Sequence, residues 1–163
     1  MITIRKATLA DAKQIWQILK ATNCGGNTFP FLAEKDLEEK AMMDYWLAGD
    51  KYIYVAEENS IILGSFYLKD NQPGRGSHIA NAAYTVSEAS RGKGVGKLMG
   101  EFSLKEAKQL GYKALQFNLV VKTNQVAVNL WKSIGFKIIG EIPEAFQHKE
   151  LGFVNAYIMY QKI

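Results

Sequence analysis

The feature that most restricts the fold is a strand, a glycine-rich turn, a helix and a second strand in succession over residues 77–121. Alternating residues in "SHIANAAYTVS" (77–87) predict the first strand, and "KALQFNLVV" (113–121) predicts the second. Apolar residues at helical spacing predict the helix over about 94–110, which ends at Gly111. Two strands joined through a helix are expected to lie parallel in one sheet.

The rest of the chain supplies further strands and helices around this unit. Strands are predicted at 2–8, in a hairpin within 51–70, at 136–142 and at 153–163, and helices after residue 9, at about 34–48 and at 124–135. Pro143 lies in a segment, 143–152, that is expected to be a loop. The 163 residues contain no linker, so we expect one α/β domain over 1–163, with a mixed sheet flanked by helices.

Composition restricts the class of protein. Apolar residues make up 48% of the chain and charged residues 22%, as in ordinary globular proteins. The net charge of +4 suits an anionic ligand, but no dense run of Lys and Arg predicts nucleic-acid binding. Cys24 is the only cysteine, which excludes an intrachain disulfide, and we expect no metal site. With no signal-like or membrane-length apolar run, a cytoplasmic protein is expected.

The turn "RGKGVGK" (91–97) has the composition of an anion-binding loop. Glycines let the backbone approach a ligand, and the first amides of the following helix are free to bind an anion. A P-loop would need Ser or Thr at Leu98, and the dinucleotide fingerprint would need Gly at Lys97, so neither motif fits. Arg91, Gly94 and Gly96 do match the pattern Arg/Gln-x-x-Gly-x-Gly/Ala. The alternative is a purely structural turn.

A second motif strengthens one interpretation of this loop. Asn124-x-x-Ala127-x-x-Leu130-Trp131-x-x-x-Gly135-Phe136 follows the loop after a helix and a strand. With both motifs in this order, the chain resembles the GCN5-related N-acetyltransferases. The resemblance implies a mostly antiparallel sheet of six to seven strands, in which a splayed parallel pair binds acetyl-CoA. Asn124 also has the simpler interpretation of a helix N-cap.

The resemblance also implies roles for individual residues. The pantetheine arm would bind the strand before the loop, the pyrophosphate would bind the loop, and the backbone amide near Val86 would stabilise the oxyanion during direct acetyl transfer to an amine. The residues that the resemblance places at the cofactor are Tyr84, Thr85, Val86, Arg91, Gly92, Lys93, Gly94, Val95, Gly96, Lys97, Asn124 and Trp131.

The sequence departs from the family pattern where a proton donor is expected. Trp131 replaces the tyrosine that commonly protonates the departing sulfur, and an indole N–H is no practical acid, so we favour aromatic core packing for Trp131. Tyr84 or solvent are the alternative donors. His78 is the candidate base, although it lies at the start of its strand, and water-mediated deprotonation is the alternative.

Two asparagines in apolar strands are candidates for substrate binding. Asn81 and Asn118 are costly to bury unless their amides find partners, and alternation places Asn118 on the same face as Val120, beside the cofactor. An edge or bulge position, satisfied by the backbone, is the alternative. Phe29, with Pro30, could close an apolar pocket over a small amine.

The sequence therefore predicts an acetyl-CoA-dependent N-acetyltransferase of small amines or amino acids. "GSHIANAAYTV", "FNLVVKTN" and Trp131 further resemble the fungal acetyltransferases that act on azetidine-2-carboxylate, which implies an amino-acid-like substrate. A protein N-acetyltransferase and a non-catalytic acyl-CoA sensor are the alternatives. Proteins of the family it resembles frequently form homodimers.

Overall fold

A computed structural model describes residues 1–24 and 39–163 of the chain. Its centre is a seven-stranded sheet in the order β1-β2-β3-β4-β5-β7-β6. All neighbouring strands are antiparallel except β4 and β5, which are parallel. This confirms the mixed α/β fold. The strands are β1 Thr3–Lys6, β2 Tyr52–Glu58, β3 Ile61–Asp70, β4 Ile79–Val86, β5 Ala114–Val121, β6 Lys137–His148 and β7 Gly152–Lys162.

Four α-helices among residues 1–24 and 39–163 cover the two faces of the sheet. They are α1 Ala12–Cys24, α2 Glu39–Trp46, α3 Val95–Gln109 and α4 Gln125–Ser133. On one face, here the α1/α2 face, Ile15 and Trp46 pack with Tyr67 of β3 in a buried cluster. On the opposite face, the α3/α4 face, Met99 and Trp131 pack with the larger core cluster. Alternation along each strand therefore assigns its side chains to one face or the other.

The segment 143–152 differs from its prediction as a loop. Strand β6 continues through Pro143 to His148 and pairs with β7 up to Gly152. Proline is tolerated because β6 is the edge strand, where a missing backbone donor breaks no ladder. The pairing is irregular between Ile142 and Phe146, as in a β-bulge. No helix in the described part of the chain could span a membrane.

A charged network attaches the first strand to the start of α1. Both Arg5 terminal nitrogens donate to the Asp11 carboxylate at 2.8 Å, and Arg5 also donates to Glu57 of β2. The Asp11 side chain is buried and also accepts from the Thr8 amide at 2.7 Å. These hydrogen bonds, with Arg5 the largest cause, lower the pKa of Asp11 well below its usual range.

Candidate active site

The parallel strands β4 and β5 are paired along only part of their length. Ile79, Ala80 and Asn81 pair with Ala114, Leu115 and Gln116, and no pairing continues beyond them. Residues 82–86 of β4 and 117–121 of β5 therefore border an open cleft, here called the splayed cleft. Its closed end, the apex, lies where the ladder stops. The sequence predicted a parallel pair, and the resemblance implied that it would splay.

The alternation of hydrogen bonds between β3 and β4 determines which backbone groups of β4 face the splayed cleft. Asn71 donates to the Ile79 carbonyl and Ser87 donates to the Leu63 carbonyl, so odd-numbered residues of β4 bond to β3. The N–H and C=O groups of Tyr84 and Val86 consequently face the cleft. Among the described residues these strand groups have no backbone partner, so they are of the kind to which an extended ligand can add.

Thr85 cannot contribute its backbone to the cleft, contrary to the prediction for 84–86 as a group. It is paired with Ser65 of β3, and its odd position directs both backbone groups to that strand. Its hydroxyl lies 2.9 Å from the Thr22 hydroxyl of α1, on the α1/α2 face. Thr85 therefore connects β4 to α1.

The glycine-rich loop forms a cradle of backbone N–H groups at the open end of the splayed cleft. Gly94 is the N-cap of α3 with φ 81°, and Gly92 has φ 74°, both in the left-handed region that favours glycine. The first helical bond of α3 is donated by Leu98 to the Gly94 carbonyl. Within the described residues, the N–H groups of Val95–Lys97 have no partner, as expected for a helix N-terminus. Arg91, Lys93 and Lys97 are exposed around them.

Gly96 and Gly100 have a different role from Gly92 and Gly94. A Cβ on Gly96 would lie 3.2 Å from the Leu130 side chain, and one on Gly100 would lie 2.7 Å from Ile134. Both glycines thus allow α4 to approach α3 closely. Only the backbone N–H of Gly96 belongs to the cradle.

Three aromatic rings, here called the aromatic cluster, pack on the α3/α4 face beside the apex. The Trp131 ring lies 4.7 Å from both the Tyr84 and the Phe117 rings, and the latter two are 5.8 Å apart, between centroids. Trp131 is only 8% exposed. This agrees with the interpretation of Trp131 as a packing residue. Its contact with a cofactor stays a prediction.

The Tyr84 hydroxyl is not a free proton donor. Ser103 donates its single proton to the Gly100 carbonyl at 2.7 Å, so Tyr84 donates to the Ser103 oxygen at 2.6 Å. Burial raises the pKa of Tyr84 above its ordinary value. Tyr84 is therefore a poor substitute for the missing family tyrosine.

Asn124 is the N-cap of α4, where its side-chain oxygen accepts from the Ala127 amide at 3.2 Å. The capping interpretation is confirmed. A contact between Asn124 and a bound pantetheine arm stays a prediction.

His78 lies in the exposed turn before β4, with its Nδ1 atom 3.1 Å from the Arg75 carbonyl oxygen. Eight residues of extended chain separate it from Val86, or about 26 Å. A base at His78 and an oxyanion contact at Val86 therefore cannot act on one reacting carbonyl. This geometry argues against His78 as the base.

Four side-chain amides meet on the α1/α2 face beside the apex. They form the amide cluster, which consists of Asn71, Asn81, Gln116 and Asn118. The Asn71 oxygen accepts from Asn118 at 2.7 Å and from Asn81 at 3.3 Å. The Asn118 oxygen accepts from Gln116 at 2.8 Å. The structure thus brings together the two predicted asparagines.

Asn118 does not share a face with Val120, contrary to the alternation argument. The β5–β7 pairing shifts between Phe117 and Val120, so Asn118 lies in a bulge, where strict alternation fails. Val120 packs into the core of the α3/α4 face, whereas Asn118 is exposed and bonded to Asn71.

Sequence reasoning missed Asn71 and Gln116. Gln116 was detectable, because it lies two residues from Asn118 on the same strand. Asn71 follows β3 in what reads as a loop, and nothing local indicates its partners. Phe29 lies outside the described residues.

A parallel strand pair that opens beside this cradle is suited to an extended, phosphate-bearing ligand. Residues 14–136 match the model of the Acetyltransferase (GNAT) family, so the chain belongs to that family. A structure described as a GCN5-related N-acetyltransferase from Kribbella flavida is 35% identical, with a TM-score of 0.93 over 99% of this chain and 98% of that chain.

Two further relatives extend the comparison. The N-acetyltransferase aca1 of Schizosaccharomyces pombe is 42% identical over 98 residues, which cover 60% of this chain and 47% of that protein. The chain thus spans about half the length of this relative. The protein yncA from Salmonella typhimurium, solved with acetyl-CoA, has a TM-score of 0.85 over 99% of this chain and 94% of that chain. At 20% identity, this last likeness concerns the fold.

Proposed function

We propose that the chain is an acetyl-CoA-dependent N-acetyltransferase that acetylates the amine of a small molecule, with an amino acid or a close analogue as acceptor. The observation that carries this proposal is the splayed cleft, whose unpaired Tyr84 and Val86 backbone groups lead from the glycine cradle to the amide cluster. A phosphate-bearing arm fits the glycine cradle and the backbone groups of the cleft. A polar acceptor fits the amide cluster.

The cleft geometry supports specific contacts to the cofactor. The N–H groups of Val95–Lys97 bind the pyrophosphate, with Arg91 and Lys93 adding positive charge. The backbone groups of Tyr84 and Val86 hold the amides of the arm. Acetyl-CoA supplies a thioester, whose C–S bond breaks as a C–N bond forms, with the electron pair leaving on sulfur.

Proton movements are assigned to water. The acceptor must lose a proton to be nucleophilic, and His78 lies six residues along the chain from Tyr84, or about 20 Å, which is too far to remove it. The Tyr84 proton is held by Ser103. The Tyr84 N–H, which faces the cleft and whose ring belongs to the aromatic cluster beside the apex, stabilises the oxyanion. The Val86 N–H, near which the resemblance placed that contact, lies about 13 Å along β4 from Ala82 and holds the arm instead.

The amide cluster binds the acceptor carboxylate. Its four amides carry eight N–H bonds in total, of which three are donated within the cluster. The remaining donors suit a carboxylate without adding charge, which matches the amino-acid-like substrate that the resemblance implies. Phe29, which lies outside the described residues, stays a predicted contact of the acceptor.

The proposal also treats residues 1–163 as one cytoplasmic domain that forms a homodimer. Strands from both ends of the chain, β1 and β7, belong to one sheet, which supports a single domain.

A thiol-release assay with acetyl-CoA and a panel of small amines, amino acids and peptides tests the function. We expect CoA release that depends on an amino acid or a related amine. Release only with peptides favours a protein N-acetyltransferase, and CoA binding without acceptor-dependent release favours a sensor. Trp131 and the engaged Tyr84 proton are the observations that keep the sensor as the competing function.

A further inference from the structure

The aromatic cluster occupies the position at which the splayed cleft closes. Phe117 is the first residue of β5 beyond the paired segment, and its side chain is 5% exposed. Trp131 approaches from α4 and contacts both Phe117 and Tyr84 at 4.7 Å between ring centroids. Aromatic side chains thus connect β4 to β5 where the backbone ladder is missing.

An extended ligand that lies along β4 from the glycine cradle ends at this cluster. Val86 and Ala82 are four residues apart, or about 13 Å of strand. The ligand cannot extend beyond Ala82, because the next residue, Asn81, pairs with Gln116 and the two strands are hydrogen-bonded from there on. The aromatic rings lie on one side of this point and the polar amide cluster on the other.

We propose that the aromatic cluster, with Trp131 as its largest member, restricts the transferred acyl group to two carbons. This inference rests on the proposed function. An apolar chain longer than acetyl avoids the amides and turns toward the α3/α4 face, where the Trp131 ring fills the space. The reaction is unchanged: the amine nitrogen bonds to the acyl carbon, sulfur leaves with the electron pair, and the amine proton passes to water.

Shortening Trp131 removes this restriction. Trp131→Leu leaves an apolar space next to the apex, and apolar cavities bind alkyl groups. Each buried methylene group raises affinity about fourfold. Butyryl-CoA has two more methylene groups than acetyl-CoA, so we expect its affinity relative to acetyl-CoA to rise about fifteenfold in Trp131→Leu.

Calorimetry with acetyl-, propionyl-, butyryl- and hexanoyl-CoA, without an acceptor, measures this ratio. Trp16→Leu is the matched control, because Trp16 is also 8% exposed but packs on the α1/α2 face. Circular dichroism establishes that each variant is folded. If Trp131→Leu does not fold, Trp131→Phe gives the same test with a smaller expected change, of about threefold.

Three results support the proposal together: wild type binds butyryl-CoA more weakly than acetyl-CoA, Trp131→Leu reverses the order, and Trp16→Leu does not. Equal butyryl-to-acetyl ratios in wild type and a folded Trp131 variant would overturn it, as would wild-type affinity that rises with chain length. Binding is measured without turnover, so an inactive acceptor panel would contradict the proposed function and leave this test intact.

Discussion

The two faces of the sheet differ in the chemistry they bring to the splayed cleft. The α3/α4 face contributes backbone amides, glycines and the aromatic cluster, which suit an anionic ligand with an apolar end. The α1/α2 face contributes the amide cluster, which suits a small polar molecule. If the proposed function is correct, cofactor and acceptor are bound by different groups on opposite faces, so variants on one face should leave the function of the other intact.

The largest effect is expected at the cradle. Gly94→Ala disfavours the left-handed N-cap conformation and redirects the first amides of α3. Loss of two hydrogen bonds to a charged group corresponds to about a hundredfold weaker CoA binding. Calorimetry with CoA checks this value.

Gly111→Ala is the matched control, because Gly111 has φ 93°, lies at the other end of α3 and would place its Cβ in open space. It should lose similar stability and keep CoA affinity. Equal losses of CoA affinity in the two variants would contradict the assignment of the cradle as the CoA-binding site. Gly96→Val is a poorer test of CoA binding, because the added side chain would also clash with Leu130 of α4.

The next largest effect concerns the α1/α2 face away from the cleft. Asp11→Asn should lower the free energy of unfolding by about 2 kcal/mol near pH 7, since it removes charged hydrogen bonds from Arg5 to a buried carboxylate. The folded-state pKa of Asp11 is depressed, so its contribution is complete above the unfolded pKa of about 4 and is lost as the pH falls below it.

Urea denaturation of wild type and Asp11→Asn from pH 7 down to pH 3 measures this dependence. The difference between the two proteins should stay constant down to about pH 5 and then narrow. A difference that widens in acid would contradict the assignment. CoA affinity at pH 7 should be equal in both proteins.

Acceptor binding should change by a smaller factor. Asn118→Ala removes one donor of the amide cluster, and loss of one hydrogen bond to a carboxylate corresponds to about a tenfold higher KM for the amine. The kcat value and CoA affinity should change little. Asn129→Ala, at an exposed position of α4, is the control. A tenfold loss of CoA affinity in Asn118→Ala, with KM unchanged, would reverse the assignment of the faces.

The smallest effect is expected between β4 and α3. Ser103→Ala leaves the Tyr84 hydroxyl without its acceptor and should cost about 1 kcal/mol of stability. The double variant Tyr84→Phe/Ser103→Ala should recover part of that loss, as a double-mutant cycle would show. Additive losses would mean that the two hydroxyls do not interact.

Features that depend on local chain conformation could be predicted from the sequence. The left-handed Gly92 and Gly94, the N-cap Asn124 and the parallel crossover all follow from short segments. The roles of Thr85, Asn71 and Pro143 depend on pairing with distant strands. The prediction that Asn118 shares a face with Val120 was wrong because β5 contains a bulge, which the sequence does not reveal and which changes the face that Asn118 occupies.

The central claim is that the unpaired backbone of β4 and the α3 N-terminus hold the cofactor. An NMR titration of the ¹⁵N-labelled protein with CoA tests it residue by residue. The account predicts the largest amide shifts at Tyr84, Val86 and residues 95–97, with Thr85, whose amide bonds to β3, shifting much less. Shifts concentrated at Asn81 and Asn118, with residues 95–97 unchanged, would contradict it.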